Sequence, residues 1–198
     1  MKDNGQVLLI SRGDLESLLL TLIIERECEE KQNVQKRVRY VRLAGANAEQ
    51  RLRCASLQAE LLDTELELIE PGSLATTERM ILFDGIESSA PGSRLAWPQR
   101  CGPNAAALAS ELAMAEHLLQ ANALNSGVEG VELFSPLIDL EPTQVLDLAF
   151  DLGAPFQASW PCDQGADEPC GTCPGCKLWA AAASKLGRPW PWSVPTPA

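Results

Sequence analysis

Histidine occurs once in these 198 residues, at His117. A Ser-His-Asp triad needs an imidazole beside its nucleophile, and catalytic zinc sites usually draw on several. His117 falls in the Ala- and Leu-rich stretch Asn104–Ala123 and reads as a surface or interface residue, so those chemistries drop out. Basic residues are scarce too: 16 Lys and Arg against 27 Asp and Glu leave a net charge of −11. A nucleic-acid backbone is gripped by displacing counterions with Lys and Arg, so no nucleic-acid partner is expected. Only Lys36, Arg37, Arg39 and Arg42 could form a local basic patch. Long apolar runs are missing: a membrane helix needs roughly 20 residues, and stretches such as Leu18–Ile24 fall far short. Met1–Val7 has no apolar core of a signal peptide.

What is present suits one domain with a small appendage, at 45% hydrophobic residues. Val7–Ile10 reads as a strand, Ser11-Arg12-Gly13 as a tight loop, and Leu15, Leu18, Leu19, Leu22 and Ile23 as the buried face of a helix. Val38–Leu43 follows as a strand, Ala48–Leu62 as a helix and Glu65–Ile69 as a strand. Met80–Phe83 is read as the fourth strand and Asp84–Pro103 as irregular. Asn104–Ala123 reads as a helix, Val131–Ser135 as the fifth strand, and Glu141–Leu152 as a helix with Pro142 in its first turn. Beyond it only a short helix is expected, then a Pro/Trp-rich tail. Alternating strands and helices predict an α/β fold: a three-layer parallel sheet of about five strands flanked by helices, with a small C-terminal zinc knuckle. The expected divisions are 1–158 for the α/β domain, 159–187 for the knuckle and short helix, and 188–198 for the tail.

Seven cysteines are an odd number, and four of them fall between positions 162 and 176. A disulfide framework would spread and pair them, so a reduced, cytoplasmic setting is expected. Cys162, Cys170, Cys173 and Cys176 contain two Cys-x-x-Cys steps with Gly171, Pro174 and Gly175 at the turns. That spacing can set four thiolates around one tetrahedral ion, and one zinc per chain is the favoured reading. An iron–sulfur cluster and a redox dithiol are the alternatives. Cys28 and Cys54 are read as small core or surface residues, and Cys101, beside Arg100, as a candidate on the substrate side.

Ser135-Pro136-Leu137-Ile138-Asp139-Leu140, the helix after it, Ser159-Trp160-Pro161-Cys162 and Pro169-Cys170-Gly171-Thr172-Cys173-Pro174-Gly175-Cys176 closely resemble the C-terminal half of the 7-cyano-7-deazaguanine synthase family. The resemblance is strongest over Leu133–Gly187 and weaker but collinear over Gln6–Ile69. It implies a PP-loop fold of the adenine-nucleotide α-hydrolase type and a place in queuosine biosynthesis. It also implies the four cysteines as zinc ligands, and ATP with Mg²⁺ as cofactor. The implied reaction activates 7-carboxy-7-deazaguanine as an adenylate, and ammonia completes conversion to the nitrile.

The implied nucleotide loop is Ser-Gly-Gly-x-Asp-Ser, and here the matching residues are Ser11, Arg12, Gly13, Glu16 and Ser17. Ser11, Gly13 and Ser17 match; Arg12 replaces a glycine, one residue is inserted, and Glu16 stands for aspartate. Backbone that must approach phosphate closely favours glycine, although an arginine can itself pair with phosphate. Leu43-Ala44-Gly45-Ala46-Asn47 replaces an Asp-Tyr-Gly-Gln loop, the apolar helix before the fourth strand is read as missing, and Trp179 occupies a usual arginine position. The favoured function is therefore a zinc-binding relative degenerate or altered in ATP-dependent carboxylate activation. The alternative is an active synthase.

Asp84 and Glu87 are candidate site carboxylates, and Trp97-Pro98-Gln99-Arg100-Cys101 is a candidate border of a purine-like ligand's pocket. Trp179, Trp190 and Trp192 are expected to cover the knuckle or a partner, either a second copy or a companion subunit.

Overall fold

The computed structural model describes residues 5–29, 34–42, 45–69, 78–100, 102, 105–126, 130–165 and 167–192. Their strands are β1 (Gln6–Ser11), β2 (Gln35–Val41), β3 (Leu66–Ile69), β4 (Arg94–Ala96) and β5 (Glu132–Phe134). Their helices are α1 (Leu15–Glu29), α2 (Ala48–Leu61), α3 (Glu78–Ser88), α4 (Ala105–Ser126), α5 (Pro142–Asp151) and α6 (Pro174–Leu186). The five strands form one parallel sheet in the order β3-β2-β1-β4-β5.

Strand β1 is central, and Val7, Leu8, Leu9 and Ile10 are all buried. A parallel strand covered on both faces reads as a continuous apolar run because neither face meets water. Val7 and Leu9 join a core built with α1, α2, α5 and α6. Leu8 and Ile10 face the opposite core, built with Ile81, Leu82 and Ile86 of α3 and Ala115 of α4. Helices thus cover both sides, as the alternating pattern implies.

The residues read as the fourth strand lie in α3, and the fourth strand is Arg94–Ala96. A short apolar run fits strand or buried helix equally well, and here Leu82 and Ile86 recur one turn apart. Gly85 lets this helix press on the sheet: a Cβ there would stand 3.1 Å from Ile10 Cδ1 and 3.2 Å from Leu95 Cδ1. A helix therefore does stand between the third and fourth strands. Asp84 and Glu87 consequently sit on α3 rather than in a loop after a strand. The chain's last helix is also longer than expected, with 13 residues from Pro174 at its first turn to a left-handed Gly187 at its end.

The expected basic patch is internally neutralised. Arg39, 7% exposed, donates to Glu67 at 2.9 Å, to Asp84 at 2.7 Å and to Ser88 Oγ at 2.6 Å, while Arg37 also pairs with Glu67. Arg42 pairs with Glu49 at 2.9 Å. Burial pushes the Glu67 carboxyl up, but hydrogen bonds from Arg37 and Arg39 outweigh this and hold it below its ordinary 4.5. A lowered folded-state pKa gives stabilisation that is complete above the ordinary value and is lost as pH falls through the folded one. Glu67→Gln should therefore cost about 1–2 kcal/mol at neutral pH. In urea melts the gap to wild type should narrow as pH drops below 4.5. A gap independent of pH would refute the assignment.

Candidate functional site

In the order β3-β2-β1-β4-β5 the connections diverge between β1 and β4. Open parallel sheets bind ligands at the carboxyl ends of strands beside such a switch point. The loop after β1, Ser11 to Asp14, lies there, as does the segment Trp97 to Arg100 after β4.

The first loop is bound tightly by its own side chains. Ser11 Oγ donates to Gln58 Oε1 at 2.7 Å and accepts from the Gly13 amide at 3.1 Å. The Arg12 amide donates to Ser17 Oγ at 2.8 Å. Asp14 is the cap of α1: its Oδ1 accepts from the Ser17 amide at 2.9 Å and hydroxyl at 2.7 Å, while its carbonyl accepts from Leu18 N at 3.1 Å. The Ser17 and Leu18 amides, like those of Arg12 and Gly13, thus meet protein acceptors.

Gln58, fully buried in α2, ties this loop down by donating to the carbonyls of Asp14 at 3.2 Å and Ala158 at 2.8 Å. Gly13 has a φ of +65°, and a Cβ there would lie 2.1 Å from the Arg51 carbonyl oxygen. Glycine is required here on both counts.

Two ion pairs stand at the switch point, and one of them crosses it. Arg12 pairs with Asp14 at 2.9 Å, donates to the Pro98 carbonyl and reaches Gln99 at 3.5 Å. Glu16 does not pair with Arg12 as their closeness in sequence suggests; Arg100 takes it, at 2.6 Å. The Arg100 guanidinium also lies 5.7 Å from the Trp179 ring centroid. Desolvation pushes Asp14 up, but Arg12, Arg51 and Ser17 override it and hold its carboxyl low. Desolvation and then the Asp14 charge push Glu16 up, against the pull of Arg12 and Arg100.

The second constellation is the cysteine knuckle. The four sulfurs of Cys162, Cys170, Cys173 and Cys176 lie within 4.8 Å of one another, with Cys162 and Cys173 at 3.7 Å. Backbone amides turn onto them: Gln164 and Cys170 to Cys162, Asp163 and Cys176 to Cys173, Thr172 and Cys173 to Cys170, all between 3.3 and 3.5 Å. Such amides stabilise thiolate, and the group could hold a metal ion. The Thr172 hydroxyl and the amides of Thr172 and Cys173 bring the Cys170 thiol down to about 6. Burial raises Cys162 and Cys176. Three of the sulfurs belong to buried residues, and Cys170 is exposed.

The knuckle is keyed to the sheet domain. Asn47 Nδ2 donates to the Cys162 carbonyl at 2.9 Å, and the Trp160 amide to the Gly13 carbonyl at 2.8 Å. A Cβ on Gly165 would fall 1.7 Å from the Ala46 carbonyl oxygen.

The structure thus gathers Ser11, Arg12, Gly13, Glu16 and Ser17 at one loop and the four cysteines at one point. Asp84 instead faces Arg39, and Glu87 is exposed on α3. Cys54 is buried with its thiol pushed up to about 12 by desolvation, Cys28 is half-buried, and Cys101 lies outside the described residues. His117 is exposed on α4 with its ring against the Ala113 carbonyl. Trp190 and Trp160 pack on the cysteines, while Trp179 and Trp192 complete an aromatic group with Phe156. Gln58, Arg51 and Trp160 escaped the sequence reading. A glutamine on the apolar face of Cys54, Ala55 and Ala59 was the available signal for Gln58.

Residues 111–187 match the family model described as queuosine biosynthesis protein QueC. Over this segment the chain is similar to that family. Over 60 residues it is 40% identical to the 7-cyano-7-deazaguanine synthase of Parasynechococcus marenigrum (strain WH8102), covering 30% of this chain and 26% of that one. The 7-cyano-7-deazaguanine synthase of Synechococcus sp. (strain RCC307) is 38% identical over 69 residues, covering 34% and 31%. The matched stretch therefore spans less than a third of these relatives' length. Among solved structures, the U34-tRNA thiolase NcsA from Methanococcus maripaludis with its 4Fe–4S cluster superposes with a TM-score of 0.56 at 16% identity. That alignment covers 94% of this chain and 66% of the thiolase, and it speaks for a shared fold. No described helix is long and apolar enough to cross a membrane.

Gly13→Ala should destabilise the chain by about 2–3 kcal/mol, from a strained φ and a backbone clash together. Urea unfolding measures it; a loss below about 0.5 kcal/mol, the range of an ordinary surface change, would contradict the packing described.

Proposed function

We propose that this chain is a 7-cyano-7-deazaguanine-synthase-like protein in which ATP-dependent carboxylate activation is lost or altered, and that its cysteine knuckle holds one structural zinc ion. The observation that carries the first part is the occupation of the α1 N-terminus by Asp14 and Glu16. A helix N-terminus attracts phosphate through its free amides and its dipole, and here acidic side chains of the protein take both. A triphosphate would have to displace the Arg12–Asp14 pair and approach two carboxylates. Arg12, pinned onto the segment after β4, further narrows the way in.

The zinc reading is supported by the sulfur spacing. With Zn–S near 2.3 Å, a tetrahedron has edges of about 3.8 Å, close to the 3.7 Å between Cys162 and Cys173. In a four-iron cluster each cysteine binds a different iron, which spreads the sulfurs further apart. The ion would crosslink the start of α6 to the Trp160–Gln164 segment and so hold the knuckle on the β2–α2 loop. Reduced thiols of this kind suit the cytoplasm.

The competing reading, an active synthase, is favoured by the identity over the C-terminal segment to proteins named as such.

Three measurements decide these points. Calorimetry with ATP·Mg²⁺, and pyrophosphate release in the presence of 7-carboxy-7-deazaguanine and ammonia, should give weak binding and no turnover. Micromolar affinity with steady turnover would restore the active synthase. Metal analysis of the full chain should give one zinc, and Cys176→Ser should lower both zinc content and melting temperature, since structural zinc contributes on the order of 10 kcal/mol in small modules. Iron with acid-labile sulfide would replace zinc by a cluster.

A further inference from the structure

The four sulfurs come from two pieces of chain. Cys162 belongs to the Trp160–Gln164 segment, which is bonded to the sheet domain through the Trp160 amide and the Cys162 carbonyl. Cys170, Cys173 and Cys176 belong to the loop before α6 and its first turn. An ion can be held by all four only if the two pieces keep their register.

Two of the bonds between them end on sulfur: the Asp163 amide on Cys173 at 3.3 Å and the Cys170 amide on Cys162 at 3.4 Å. A neutral thiol is a weak acceptor, so these reach full strength once the sulfurs are thiolates on an ion. One bond across the same gap bypasses sulfur altogether. Asp163 Oδ2 accepts from the Gly175 amide at 2.9 Å.

That amide has a particular place. Cys173 caps α6, its own amide goes to Cys170, its sulfur accepts from the Cys176 amide and its carbonyl from Lys177 N. Pro174 has no N–H, which leaves Gly175 with the remaining donor of the helix start. Asp163 takes it, and a carboxylate there complements the helix dipole. The approach is close: a Cβ on Gly175 would fall 2.5 Å from the Pro161 carbonyl oxygen and 3.0 Å from Asp163 Oδ1. Asp163 is itself exposed and lies outside the group of four donors, so it stands at the rim of the site rather than among its ligands.

We propose that Asp163 is a positioning residue for the metal: by clamping the Gly175 amide it holds Cys162 in register with the three sulfurs at the start of α6. The inference rests on the metal reading proposed above. When the competent arrangement is populated for a fraction of the time, apparent affinity falls by that fraction. Loss of an outer contact to a metal site costs about tenfold or more in affinity.

The full chain, loaded with zinc, kept reduced and equilibrated against graded amounts of a chromophoric chelator, tests it. Asp163→Ala should bind zinc about tenfold more weakly. Asp163→Asn keeps an oxygen that accepts from Gly175 and loses the charge, and it should recover most of the loss. Cobalt titration, in which thiolate-to-metal absorption reports the sulfurs, should give the same tetrahedral four-thiolate spectrum in all three chains. Melts of the zinc-loaded forms establish that the variants fold. Unchanged zinc affinity in Asp163→Ala overturns the assignment and leaves the metal reading standing. Asp163→Asn as weak as Asp163→Ala also overturns it, because charge and not the hydrogen bond would then matter. A cobalt spectrum with fewer thiolates in Asp163→Ala overturns it as well, by showing a changed ligand set. A wild-type chain that binds no zinc overturns both the assignment and the metal reading.

Discussion

The carboxylate of Asp14 on the first turn of α1 is the contact on which the site depends. By accepting from both the amide and the hydroxyl of Ser17 it fixes the helix start, and by drawing in Arg12 it fixes what lies across the switch point. Once those bonds exist, the Arg12 guanidinium is directed to the Pro98 carbonyl, and the segment after β4 is tied to the loop after β1. Glu16 and Arg100 repeat the arrangement one step away, with Trp179 beneath the guanidinium. Partly buried pairs of this kind are stable only when both charges are satisfied, because a single buried charge is costly. The loop is therefore a mutually dependent set rather than a collection of independent contacts.

Beneath it, Gln58 plays the part that a backbone ladder cannot. Two segments far apart in sequence, the loop after β1 and the stretch at Ala158, meet at its amide, and its burial makes each bond count more than it would in water.

Much of this was legible from residues alone, and the failures have particular causes. The apolar β1, the leucine spacing of α1 and the cysteine spacing each reflect one dominant constraint: burial on both faces, burial on one face, and the gathering of four sulfurs at one point. Arg12 and Asp14, two residues apart on a turn, lie close enough in sequence for their pair to be a local one. The fourth strand was not. Arg94–Ala96 has only three residues and is held in place by its neighbours β1 and β5, while Met80–Phe83 carries a stronger apolar signal and becomes a helix. Helix α6 was underestimated because its start is shared with the metal motif: Cys173 is at once a candidate ligand and the cap of the helix. Glu16 meeting Arg100 depends on how distant loops are brought together, which no local pattern encodes.

The close fit of Gly165 against Ala46 has a consequence for how the molecule moves. With no room for even a methyl group, and with Asn47 and Trp160 bonded across the same seam, the knuckle cannot pivot without carrying the loop after β1 along. The sulfur cluster and the first turn of α1 then open as one cooperative unit, and solvent exchange at the loop amides reports on the integrity of the knuckle. Linkage being reciprocal, whatever tightens one tightens the other.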